Sequence, residues 1–171
     1  MENLILPLQN YVNVWCPYIE YLRMPEFMRG LKQTQRPIWF YTIEYSHQKP
    51  RTGGRQLPWL AWRLHLDGWA FYALREYGKD NPWKDNVCAR MYPGKTMSLW
   101  MEALRQGVQD YKRLWYLKNV GMSDDEITSN ILQIIHKGED APDAPWGGAE
   151  PETYSRIRER LDDLIKSKMQ R

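Results

Sequence analysis

Tryptophan and tyrosine stand out among the side chains of this protein that could do chemistry. The sequence holds nine Trp and eleven Tyr but only three Phe. A core that needed only apolar volume would favour Phe and Leu, whereas Trp and Tyr combine a flat apolar face with a polar N–H or O–H group. The composition therefore indicates half-exposed sites or interfaces.

The cysteines and histidines show no metal-binding pattern. Cys16, Cys88, His47, His65 and His136 lack the close spacing of zinc ligands. Two cysteines cannot build a disulfide framework, although a single Cys16–Cys88 bridge stays open if the strand ends bring the thiols together. We predict neither a metal nor a cofactor.

Charge and hydropathy argue against nucleic acid and a membrane as partners. The net charge of +3 is spread along the chain, without the clusters of Lys and Arg that bind nucleic acid. The first residues, MENLILPL, carry an acid where a signal peptide has a base, and their apolar run is too short for a signal peptide or a membrane span. We expect neither nucleic acid nor a membrane as a partner, and the compartment stays open.

The segment at residues 58–74 must position the aromatic side chains. Pro58 suits the first turn of a helix, where its missing N–H costs nothing, and apolar residues follow at helical spacing. Gly68 can adopt the left-handed conformation that ends a helix. Residues 69–74 then have the apolar and aromatic composition of a buried strand. A helix that returns directly into a strand indicates an α/β protein with a parallel sheet.

In two earlier segments, at residues 11–15 and 37–43, the side chains alternate between two faces as they do in a strand. The helix-to-strand turns are short, whereas the loops that follow the strands are long, at about residues 16–24, 44–56 and 75–96. In a parallel α/β sheet the carboxyl ends of the strands carry the site. We therefore expect the long loops to gather on one functional face.

The carboxyl-terminal part of the chain is predicted to be helical. Residues 98–119 have the wide apolar face of a long helix, which should end near Gly121. Ser123 and Glu126 form a capping-box pattern ahead of a further helix. We divide the chain into residues 1–121, which hold the strand and helix units, and residues 122–171, a helical extension. Residues 138–151 of the extension form a Pro/Gly-rich linker.

A set of motifs occurs in a fixed order over about residues 11–117: PIWFYT, RQLPWLAWRLHLDGWAFYAL, NPW, YPG and S-x-x-x-E-A-x-R-x-G-x-x-D-Y. The last motif is the most specific, and its defining residues are Glu102, Ala103, Arg105, Gly107, Asp110 and Tyr111. Together the motifs resemble the carboxyl-terminal part of the glycoside hydrolase family 123 catalytic domain and its relatives, the domain of unknown function 4091.

The resemblance implies a fold and an activity. The implied fold is a partial (β/α)8 TIM-type barrel, made of its last three β/α units with parallel strands, plus C-terminal helices. The implied activity is hydrolysis of N-acetylhexosamine-type glycosides, in which the substrate acetamido group attacks the anomeric carbon and an adjacent Asp-Glu pair assists. The only Asp-Glu dipeptide here is Asp125-Glu126, in the capping box. We therefore assign no catalytic residue and expect the isolated chain to be inactive.

The resemblance also implies a sugar-binding wall, because flat rings stack on the C–H faces of a pyranose and Tyr hydroxyls bond its rim. Its candidates are aromatic side chains at strand ends and in the last long loop, with one carboxylate: Trp15, Tyr41, Glu44, Tyr72, Trp83 and Tyr92. Each ring could instead pack on the sheet, and the carboxylate could be solvated. Arg55 either bonds a carboxylate at the mouth of the site or braces the loop. Glu102 and Arg105 are expected to form a structural pair.

Functions of different classes stay open. The chain could be the terminal portion of a carbohydrate-active barrel enzyme, with a carbohydrate ligand and an upstream barrel segment as partners. It could be a non-catalytic glycan-binding module that keeps the aromatic wall. It could also be a protein-interaction module that associates through open sheet edges, since an unpaired edge strand is a template for pairing.

Overall fold

The computed structural model is mostly helical with short strands, and it describes residues 5, 7–43, 52–71, 91–92, 96–136, 139 and 149–170. The α-helices in this part of the chain are α1 (Pro25–Gln33), α2 (Gly53–Arg63), α3 (Leu99–Asn119), α4 (Asp124–Leu132) and α5 (Pro151–Met169). A 3₁₀ helix at Ile19–Arg23 precedes α1. The strands are β1 (Trp39–Thr42), β2 (Gly68–Phe71), β3 (Met91–Tyr92) and β4 (Thr96–Met97).

The sheet has two parallel strands, β1 and β2, which are joined in sequence through α2. Trp39 lies beside Gly68 at one end of the pair, and Thr42 lies beside Phe71 at the other. The Asp67 carboxylate accepts a hydrogen bond from the Ile38 N–H group at 2.8 Å, just ahead of the pair. The predicted parallel direction of these two strands is confirmed.

The predicted fold, a (β/α)8 barrel fragment with three parallel β/α units, is wrong. Within the described residues the parallel sheet has only β1 and β2, while β3 and β4 form a short antiparallel hairpin. The first predicted strand, at residues 11–15, contributes no strand. Pairing starts only at its last residue, as two isolated parallel bridges, Trp15–Ile38 and Tyr18–Tyr41.

Pro17 explains why the two bridges beside β1 do not join into a strand. The Tyr41 N–H group donates to the Pro17 carbonyl at 3.0 Å, and the Trp39 N–H group donates to the Trp15 carbonyl at 2.7 Å. A continuous parallel ladder would next need an N–H group from residue 17, and proline has none. Pairing at this edge of β1 is therefore limited to the bridges at Trp15 and Tyr18.

The ends of α2 differ from the prediction. Pro58 lies inside the helix, which begins at Gly53. The helix tolerates this proline because its residues from Gly53 to Ala61 are all buried, so that tertiary packing outweighs local propensity. The left-handed residue after the helix is His65, with φ of 54°, and not Gly68.

A Schellman motif closes α2 at His65. The Leu66 N–H group donates to the Ala61 carbonyl at 2.9 Å, and the His65 N–H group donates to the Trp62 carbonyl at 3.2 Å. Leu66 is buried, as the apolar residue of this motif commonly is. Gly68 consequently begins β2 without capping the helix.

The ends of the later helices agree better with the prediction from the sequence. Ser98 caps α3 by accepting a hydrogen bond from the Met101 N–H group at 3.2 Å. Gly121, with φ of 92°, follows the end of α3, and the predicted end of this helix is confirmed. Ser123 caps α4 by accepting from the Glu126 N–H group at 3.1 Å, as predicted.

The helices bury one face of the sheet. A first core lies between the sheet, α2 and the start of α3, and it includes Phe40, which is fully buried. The ring of Phe71 lies 5.0 Å from the ring of Trp100 on α3. A second core joins α3, α4 and α5 around residues such as Leu117 and Ile157. The sheet is therefore covered by helices on this side.

Reciprocal glycines bring α2 and α3 into backbone contact. A methyl group at Gly54 would overlap the Trp100 carbonyl oxygen of α3. A methyl group at Gly107 would lie 2.5 Å from the Arg55 carbonyl oxygen and 2.9 Å from its Cα on α2. Each helix therefore lacks a side chain where the other helix approaches it most closely.

Gly107→Ala tests this contact. An exposed helical glycine gains up to about 1 kcal/mol on substitution by alanine, from helix propensity. We expect the opposite sign here, a loss of about 1–3 kcal/mol in the free energy of unfolding, because the methyl group would push the two backbones apart. Urea unfolding measures the difference, with Lys112→Ala, at an exposed position of α3, as the control. A stabilised Gly107→Ala protein would contradict the close crossing.

Candidate functional site

The two faces of β1 are different environments. Phe40 and Thr42 are buried against the helices. Trp39 is 41% exposed and Tyr41 is half-buried. Successive side chains of a strand point to opposite faces. Trp39 and Tyr41 therefore share the face of the sheet that is turned away from the helices.

The indole of Trp39 lies flat on the neighbouring strand. A methyl group at Gly68, its partner in register, would lie 2.7 Å from Cε2, 2.9 Å from Cδ2 and 3.0 Å from Nε1 of Trp39. Cδ2 and Cε2 are the carbons shared by the two fused rings, so the ring meets Gly68 with its face and not with its edge. Trp39 as a whole nevertheless stays 41% exposed.

Tyr18 lies at the edge of this surface and also packs against the first core. Its ring centroid lies 5.2 Å from that of Tyr41, with the ring planes tilted by 53°. The two residues also form one of the isolated parallel bridges. We call Tyr18, Trp39 and Tyr41 the aromatic platform. Its side chains carry no formal charge, and its chemistry is that of apolar ring faces with hydroxyl and N–H groups at their edges.

Cys16 lies at the border of the aromatic platform. The bridges on either side of it place it at the register position of Trp39. It is a free, exposed thiol. Partial burial raises the pKa of this thiol, which disfavours the reactive thiolate. The residue is therefore a useful chemical reporter for the platform and a poor nucleophile.

The sequence-predicted sugar wall is only partly within the described residues. Trp15 packs against the core on the helix-covered side, in register with buried Ile38, and so lies on the face opposite to Tyr41. The structure does not bring these two residues together. The other predicted residues lie outside the described side chains: Glu44, Tyr72, Trp83 and Tyr92.

Trp39 and Tyr18 were missed as candidate site residues. The alternation of residues 37–43 already places Trp39 and Tyr41 on one face. Sequence alone gives no sign that Gly68 leaves room for the indole to lie flat, because that contact joins residues on different strands.

Arg55 braces helices in the interior. The Asp110 carboxylate is 1% exposed. Its Oδ2 accepts hydrogen bonds from Arg55 Nε at 2.7 Å and from Trp59 Nε1 at 3.3 Å. Its Oδ1 accepts from Nε and Nη2 of Arg158, at 2.8 and 2.6 Å. One buried carboxylate thus links α2, α3 and α5.

The remaining groups of Arg55 are also satisfied. Nη1 donates to Gln106 Oε1 at 3.1 Å, and Nη2 donates to the Tyr154 carbonyl at 3.4 Å. The guanidinium carbon lies 4.5 Å from the centroid of the Tyr154 ring, a cation–π contact. Arg55 lies inside α2 and not in the predicted loop, so these contacts brace helices, which is neither of the two predicted roles.

The predicted pair of Glu102 and Arg105 is confirmed as an exposed structural contact. Arg105 donates from Nε and Nη2 to the two carboxylate oxygens at 2.7 and 2.6 Å. Gln106 Nε2 donates to the same carboxylate at 3.1 Å. The hydrogen bonds from Arg105 and Gln106 lower the pKa of Glu102 to about 2.

In the part of the chain that the structure describes, no group of three or more His, Cys, Asp or Glu side chains could hold a metal ion. None of the helices described there combines the length and apolarity needed to cross a membrane.

Comparisons with known proteins add no assignment. No protein-family model matches the chain. No curated protein matches it either. The resemblance to glycoside hydrolase family 123 stays a prediction that rests on the motifs, and the aromatic platform has to be interpreted from its own geometry.

Asp110→Ala tests the interior network. It would leave the guanidinium groups of Arg55 and Arg158 without their shared partner, and we expect a loss of about 3–5 kcal/mol in the free energy of unfolding. Asp162→Ala is the matched control, because it breaks a more exposed pair with Arg113 and should cost less than about 1 kcal/mol. Equal effects in urea unfolding of the two variants would contradict the bracing role.

Glu102→Gln tests the exposed pair by its pH dependence. Because the folded state holds the pKa of Glu102 at about 2, below its usual value, the pair stabilises the protein above pH 5 and loses that contribution as the pH falls towards 2. We expect the stability difference between wild type and variant to shrink from pH 5 to pH 2. Urea unfolding at several pH values measures it, and a constant difference would be the contrary result.

Proposed function

We propose that this chain is a non-catalytic glycan-binding module whose sugar site is the aromatic platform. The observation that carries the proposal is Trp39, with one indole face on Gly68 and 41% of the residue exposed. A flat ring that is held on a strand and is partly exposed to water offers a pyranose a surface on which its C–H groups can stack.

Tyr41 and Tyr18 support the same role. Tyr41 lies two residues along β1 from Trp39, on the same face, and its hydroxyl can exchange hydrogen bonds with sugar hydroxyls. The ring of Tyr18, 5.2 Å away, restricts the motion of Tyr41. Side chains ordered before binding lose less entropy when a ligand binds. The absence of formal charge on the platform favours a neutral sugar.

The position of the Asp-Glu dipeptide supports a binding role without catalysis. The only Asp-Glu dipeptide, Asp125-Glu126, lies in the exposed first turn of α4, where the Glu126 N–H group bonds the cap residue Ser123. The motif resemblance supports N-acetylhexosamines as the sugar class. We therefore choose N-acetylgalactosamine and oligomers of N-acetylglucosamine as the first ligands.

Tryptophan fluorescence and calorimetry test the proposal. We expect both signals to saturate with sugar, and Trp39→Ala to weaken binding by about tenfold, which corresponds to about 1.4 kcal/mol. Trp115→Ala is the control, since Trp115 is 60% exposed on α3, and its affinity should stay at the wild-type value.

The absence of both quenching and heat would contradict the proposal, as would unchanged affinity in Trp39→Ala. A sedimentation coefficient that rises with protein concentration and falls in Trp39→Ala, without any sugar response, would instead assign the aromatic platform to self-association.

A further inference from the structure

We infer that Gly68 is a positioning residue for the sugar site, because it is the residue on which the indole of Trp39 lies. This inference rests on the proposed function and goes beyond it, since Gly68 itself need not touch a sugar. Its role is to keep one face of the Trp39 ring on the strand.

Gly68 does not need to be a glycine for its backbone conformation, because its φ is not positive. Gly68 lies in β2, and among the described glycines the one with positive φ is Gly121. The left-handed turn after α2 is made by His65, and the Leu66 N–H group closes that helix end on the Ala61 carbonyl. Any residue could supply the backbone conformation of Gly68.

The remaining reason for a glycine is space. A glycine inside a strand costs roughly 0.5–1 kcal/mol relative to alanine and commonly marks a close approach of another group. Here the approaching group is the indole, since a Cβ on Gly68 would lie 2.7–3.0 Å from Cε2, Cδ2 and Nε1 of Trp39. Real carbon contacts are about 3.5–4 Å, so the ring would have to lift off the strand.

The neighbouring position on the same face of β2 offers a comparison. Ala70 is the partner in register of Tyr41 and carries a Cβ. One added heavy atom at Ala70 would alter β2 beside Tyr41. One added heavy atom at Gly68 would instead displace the indole of Trp39. Ala70→Ser is therefore the matched control for Gly68→Ala.

A double-mutant cycle for binding of N-acetylgalactosamine, measured by calorimetry, tests the inference. Gly68→Ala should weaken binding by roughly fivefold to tenfold when Trp39 is present, because the tilted ring loses its stacking contact. In a Trp39→Ala background the same substitution should change affinity by less than about twofold, because the two residues act as one unit. Ala70→Ser should bind like the wild type.

A second measurement without sugar keeps the two proposals distinct. The indole ring current should shift the Gly68 Hα resonances of the wild type upfield, and Trp39→Ala should remove that shift. Thermal unfolding of Gly68→Ala should stay cooperative, which separates a displaced ring from a lost fold.

The outcomes separate the inference from the proposed function. If the wild type binds the sugar and Gly68→Ala binds it equally well, the role of Gly68 is overturned while the sugar site stands. Equal losses from Gly68→Ala with and without Trp39 would also overturn it, because the glycine would then act independently of the ring. If the wild type binds no sugar, the proposed function and the inference are both overturned.

Discussion

The rest of the structure depends on the close crossing of α2 and α3. Gly54 and Gly107 leave no side chains between the two backbones at this crossing. Arg55, which follows Gly54, and Asp110, about one turn after Gly107, form the buried ion pair that Arg158 of α5 joins. Backbone contact and the ion pair thus stabilise the same crossing. Because α2 leads directly into β2, this crossing also sets where β2 lies against β1.

The aromatic platform lies on the side of the sheet away from the helices. The helix-covered face of β1 holds Phe40 and Thr42, and the other face holds Trp39 and Tyr41. An exposed tryptophan on a strand is unremarkable on its own. The contact with Gly68 makes Trp39 informative, because it fixes the orientation of the ring.

Much of the helical structure could be predicted from local patterns. The end of α3 at Gly121 and the caps at Ser98 and Ser123 follow from residue types that satisfy free backbone groups over a few residues. The parallel pairing of β1 with β2 followed from the short return after α2. These features depend on neighbours in sequence, which is why the sequence reveals them.

The errors arose where distant residues decide the outcome. The predicted third parallel strand is absent, and because Pro17 has no N–H group to donate to β1, pairing at that edge of β1 is limited to two isolated bridges. The sequence predicts that the helix ends at Gly68, whereas α2 ends earlier, at His65, where Leu66 is buried. Arg55 finds its partner 55 positions away, at Asp110. Trp15 was placed with Tyr41 because both lie near strand ends, but the alternation of faces separates them.

The most direct measurement of the central claim is a two-dimensional ¹H–¹⁵N spectrum titrated with N-acetylgalactosamine. We expect the indole N–H signal of Trp39 and the backbone signal of Gly68 to shift along saturating curves, while the indole signal of Trp115 stays in place. Saturating shifts confined to α3, α4 and α5, or no shifts at all, would contradict a sugar site on the aromatic platform.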